Sequence, residues 1–78
     1  MASFNEGQSQ RRRQLLYSLR ATRALFASTG DYARSMKVEL GIQMLLDQQV
    51  SDRMIGLLEQ SAAVAARDAA DLVADGFR

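Results

Sequence analysis

The tetrapeptide Ser28-Thr29-Gly30-Asp31 divides the chain and decides its fold. Glycine takes a left-handed backbone at no steric cost, so Gly30 predicts the end of one helix. Thr29 or Asp31 then offers a side-chain oxygen to cap the next. A link this short brings the second helix back alongside the first as an antiparallel hairpin.

Upstream of the turn, Leu15, Leu16, Leu19 and Phe26 fall on one helical face, with Arg12, Arg13, Arg20 and Arg23 mostly off it. The pattern predicts a helix over about 9–29 with Ser9 as its N-cap, and residues 1–8 read as an N-terminal tail with Phe4 as an anchor. That boundary puts Arg11, Arg12 and Arg13 in a first helical turn. Cations there oppose the macrodipole at about 0.3–1 kcal/mol per charge.

Downstream, residues 32–75 contain no Pro. Two readings stay open: one continuous helix, or two helices joined near Gln48–Ser51 with Ser51 capping the third. Met36, Leu40 and Met44 form one stripe, and Val38, Ile42, Leu45 and Leu46 a second beside it. Farther on, Leu58, Ala62, Ala65, Ala69 and Leu72 recur at 4-3-4-3 spacing, a seam whose small residues let two backbones approach closely. The fold class is all-α. Residues 9–78 form a single helical domain, an antiparallel helical hairpin or a small three-helix bundle, expected to belong to an oligomer or larger complex because its apolar face is wider than one hairpin buries.

The composition narrows the chemistry. The 78 residues include no Cys, His, Pro or Trp. Disulfides, thiolate or imidazole catalysis and Cys/His-ligated zinc are therefore excluded. Asp68, Asp71 and Asp75 lie on one helical face, but three carboxylates on one terminal stretch read as a solvated acidic surface rather than an acid–base pair or metal site. No phosphate-binding glycine loop or nucleophile elbow occurs. No enzyme activity, cofactor, metal or small-molecule substrate is expected. Charges interrupt every apolar run well short of a membrane span. Residues 7–30, with five Arg and no acid, share the composition of a mitochondrial presequence; they are read instead as part of the folded domain, and the expected location is cytoplasmic.

The net charge of +1 conceals a division. Residues 1–30 carry five Arg against Glu6, giving +4, and residues 31–78 carry five cations against eight acids, giving −3. Such a split suits electrostatic docking to a protein partner or to a second copy. Arg12, Arg13, Arg20 and Arg23 are the expected docking face, and Leu40, Met44, Leu58, Ala62, Ala65, Ala69 and Leu72 the expected protein interface. The reading is thus a non-catalytic subunit, adaptor or chaperone working through protein contacts. The alternative is a nucleic-acid-associated factor that binds phosphates through its Arg-rich first helix, although no aromatic platform interleaves the cations. A membrane-surface role for that basic amphipathic helix ranks lower.

Overall fold

The computed structural model describes the backbone of residues 2–47 and 50–76, and the side chains from residue 9 onward within those spans. Three helices follow in order: α1 (Ala2–Ser28), α2 (Tyr32–Leu46) and α3 (Asp52–Gly76). No strand occurs among the described residues. Of the two readings open for residues 32–75, the structure has two helices. Gln48 and Gln49, inside the predicted junction, lie outside the described residues.

The turn forms as its residues dictate. Gly30 takes φ +84°, the Asp31 amide donates to the Phe26 carbonyl (2.9 Å), and the Gly30 amide to that of Ala27 (3.1 Å). These are the two bonds of a Schellman closure, which leaves fewer helix-end carbonyls without a donor. Asp31 rather than Thr29 is the N-cap of α2, its carboxylate accepting the Arg34 amide at 3.2 Å. Ser51 caps α3 in the same way, its hydroxyl accepting the Met54 amide at 3.2 Å.

The N-terminal boundary differs from the sequence reading. Helical backbone reaches back to Ala2, so residues 2–8 are helix rather than tail and Ser9 is not an N-cap. Ser3 to Gln8 contain no Pro, and Gly7 alone is not enough to stop a helix. Met1 and the Phe4 side chain lie outside what is described. Arg11–Arg13 consequently sit in the third and fourth turns of α1, beyond the reach of its macrodipole, which fades within the first turn.

Residue pairings give the direction of each helix. Arg12 reaches the carbonyl of Leu45, whereas Arg23, eleven residues later, reaches Glu39; α2 therefore runs antiparallel to α1. The short link from Asp47 to Ser51 sends α3 back the other way, bringing Glu59 beside Arg11 and Leu58 beside Gly41. The bundle runs up, down and up, 52 × 18 × 16 Å in extent.

Its core is one cluster of side chains from all three helices. Leu15, Leu19 and Phe26 come from α1, Val38, Ile42 and Leu45 from α2, and Ile55, Leu58, Ala62 and Ala69 from α3. Phe26, Leu45 and Ile55 are the largest fully enclosed side chains. The Arg34 guanidinium stands over the Phe26 ring, 5.9 Å from its centroid, and closes that layer from the solvent side. Thr22 is the one buried polar side chain, and no buried side-chain N or O lacks a hydrogen-bond partner among the described residues.

Phe26→Ala removes a ring that is 1% exposed, and should cost about 3–5 kcal/mol, since so thin a core cannot collapse around the cavity. Tyr17, 79% exposed on the same helix, should tolerate Ala within about 0.5 kcal/mol. Urea denaturation followed by circular dichroism measures both.

Candidate functional site

The arginine face predicted from sequence is divided by the fold into two groups. Arg12 turns inward: its Nη2 donates to the carbonyls of Leu45 (2.8 Å) and Asp47 (3.1 Å), at the C-terminal end of α2. A guanidinium there meets carbonyls that have no intrahelical donor and the negative end of the α2 dipole. Arg23 pairs with Glu39 of α2 at 2.8 Å. Arg11 pairs with Glu59 of α3, Nη2 to Oε1 at 2.6 Å and Nε to Oε2 at 3.4 Å, a forked contact. Arg13 and Arg20 face solvent and hold no ion pair among the described residues. Within the expected docking face, then, Arg12 and Arg23 join the chain's own helices together, and Arg13 and Arg20 remain available to another molecule.

The expected apolar interface divides as well. Leu58, Ala62 and Ala69 are buried in the chain's own core, and Ala65 and Leu72 are partly buried against it. Their 4-3-4-3 seam is the one by which α3 packs on α1 and α2. Leu40 and Met44 stand apart from them, 65% and 44% exposed, and with Met36 make an apolar stripe on the outer side of α2.

Beside that stripe, α2 and α3 leave a groove of about 560 Å³. Leu19 and Phe26 of α1 contribute to its floor; Val38 and Gly41 line the α2 side, and Leu57 and Val64 the α3 side. Gly41 keeps the α2 wall low: a methyl group there would lie 3.7 Å from Leu58 Cδ2, in ordinary contact. Lys37 on one rim and Asp68 on the other give the mouth both signs of charge. Leu57 and Val64, 51% and 63% exposed, were not singled out from sequence. They sit seven residues apart with Ser61 and Asp68 on the same face, a mixed stripe that the more regular Leu58–Leu72 seam beside it obscures.

Asp68, Asp71 and Asp75 line one face of α3 and make no ion pair among the described residues, and Arg67 makes no bridge to Asp71. Among the described residues no group of three or more acidic side chains could hold a metal ion. Among the described residues no helix is long and apolar enough to cross a membrane. No family model, curated protein or solved structure matches this chain.

Electrostatics are perturbed at one exposed pair. The Arg11 hydrogen bond, then its charge, hold the Glu59 carboxyl below its ordinary value of 4.5, against the opposing effect of desolvation. The same bond, together with the Glu59 charge, raises Arg11. A carboxyl with a depressed folded-state pKa binds protons more readily when unfolded. Its stabilising contribution is thus complete above 4.5 and lost as the pH falls through the lower folded value. Glu59→Gln should lower the melting temperature at neutral pH, and the gap from wild type should close on acidification below that range.

Arg12→Met keeps the apolar stem but removes both bonds to the end of α2. A loss of about 1–2 kcal/mol is expected, with hydrogen exchange accelerating first at the C-terminal end of α2. Arg13→Met, which breaks no intrachain bond, should leave stability and exchange unchanged.

Proposed function

We propose that this protein is a non-catalytic binding module, a small subunit or adaptor/chaperone of a larger assembly, which acts in the cytoplasm by receiving an amphipathic helix of a partner protein between α2 and α3. The observation that carries this reading is the open groove itself, apolar along its floor and bounded by Leu57 and Val64. A guest helix with apolar side chains at i, i+3 or i+4 and i+7 would fill such a groove, as helix-in-groove recognition requires. Met36, Leu40 and Met44 extend the apolar surface past the rim, and the flexible thioethers of Met36 and Met44 suit adaptable contacts. Lys37 and Asp68 on opposite rims would orient the guest through an acidic and a basic residue of its own.

Phosphate binding through α1 is the second reading, and it has Arg13 and Arg20 to rest on. Two neutralised phosphates would give a salt slope of about −1.8 on duplex DNA, a weak footprint for a dedicated nucleic-acid protein.

Site-specific photo-crosslinking in cells tests the groove. A photoreactive residue at Leu57 should yield an adduct with a discrete protein, while one at Arg53, exposed near the start of α3, should not. Leu40→Glu, with helicity intact, should weaken that partner about 10- to 100-fold, the value of one buried Leu. Equal adducts from both positions, or adducts with nucleic acid alone, would exclude the groove as the working surface.

A further inference from the structure

Two charged faces have no counterpart among the described residues. On α1, Arg13 and Arg20 lie seven residues apart with Tyr17 between them, around a shallow depression also lined by Gln14 and Leu16. On α3, Asp68 and Asp75 are likewise seven residues apart, with Asp71 between them. None of these five charges forms an ion pair among the described residues. The two faces match in length, opposite in sign.

We infer that the protein associates with further copies of itself, the Arg13–Arg20 face of α1 in one copy pairing antiparallel with the Asp68–Asp75 face of α3 in the next. In that register Arg13 meets Asp75, Arg20 meets Asp68, and the Tyr17 hydroxyl is opposite Asp71. One turn further on, the exposed Val64 is opposite Ala24, a small side chain that leaves room for it. The parallel alternative places Val64 opposite the polar Ser9 instead. Antiparallel helices also align their macrodipoles favourably. Arg67, exposed beside Asp68, is turned about 100° away from it around α3 and so lies at the edge of the contact.

The contact is heterologous. Arg11 and Glu59 mark where α1 and α3 face each other in one copy. At 100° per residue, Arg13 is turned about 200° from Arg11, and Asp68, Asp71 and Asp75 about 180°, 120° and 160° from Glu59. Both faces thus point away from the α1–α3 seam, on different helices. A head-to-tail pairing of two different faces leaves one of each free, so each added copy presents a fresh face. On α3 this contact shares Asp68 and Val64 with the rim of the groove, so the two occupants would compete there; the occupant inferred here is a second copy rather than a foreign helix.

Sedimentation velocity on the full chain decides the matter. The average mass should rise with protein concentration at about 0.01 M salt. It should return to that of the monomer at about 1 M, as the Debye length contracts from about 30 to about 3 Å. Arg13→Glu with Arg20→Glu, and separately Asp68→Arg with Asp75→Arg, should each weaken association at least tenfold, roughly the loss of one strong charge contact. An equimolar mixture of the two double variants should associate again, because each face then meets its opposite. Leu40→Glu should leave the association unchanged, which separates this contact from the groove. Circular dichroism confirms folding, and Arg13→Gln with Arg20→Gln serves if a reversal unfolds the chain. A monomer at every concentration in low salt, mass that ignores salt, variants that associate like wild type, or a mixture that stays monomeric would each overturn the inference.

Discussion

Both shorter helices lean on α1 far more than on each other, and that inequality governs the rest of the molecule. A three-helix bundle closes symmetrically when each pair of helices shares comparable side chains. Here α1 supplies Leu15, Leu19 and Phe26 to the shared core, while the facing sides of α2 and α3 set the small Gly41, Ser61 and Ala65 among Val38, Leu57 and Val64. The small side chains leave part of the space between two helices already held by a third unfilled. The opening between α2 and α3 therefore follows in part from residue size, with Phe26 lying at its floor and Arg34 sheltering the ring.

The charge division acquires a structural meaning in the same frame. Much of the positive excess of α1 is directed at the acidic remainder of the chain: Arg11 at Glu59, Arg23 at Glu39, Arg12 at the carbonyl end of α2. Exposed pairs such as these add little stability singly. They discriminate between alignments, however, because a one-residue slip of either neighbour against α1 would turn the partner of each arginine away from it. The apolar core alone, rich in interchangeable Leu, Ile and Ala, would specify that alignment less sharply.

Much of this was legible in the residues. Ser28-Thr29-Gly30-Asp31 located the turn because only glycine suits its left-handed position, and Ser51 marked the start of α3 through the same capping chemistry. The 3.6-residue period sorted Val38, Ile42 and Leu45 from Met36, Leu40 and Met44, although it left open which stripe faced inward and grouped Leu46, which is 50% exposed, with the buried stripe. The start of α1 was misplaced because Ser9 resembles a cap, and a cap signal does not reveal that the preceding residues are also able to stay helical. The fate of the arginines was beyond local reasoning altogether. Arg12 and Arg13 are adjacent and identical in type, and their different roles are set by a 100° rotation about α1 relative to a helix that begins twenty residues later. Likewise the Leu58–Leu72 seam was recognisable as a packing seam, but whether its counterpart lay in this chain or another depended on how α3 folded back.

The closure at Gly30 has a further consequence, for the order in which the molecule is built. Residues that meet across the α1–α2 turn are close in sequence: Arg23 finds Glu39 after sixteen residues, whereas Arg11 must wait for Glu59, forty-eight residues on. Loops that short close readily, and local contacts form early in folding. The hairpin of α1 and α2 thus takes shape while its Leu19–Phe26 side is still bare, and α3 is the element that arrives last to cover it. Until it does, the nascent chain exposes the Phe26 ring to whatever other helix is nearby.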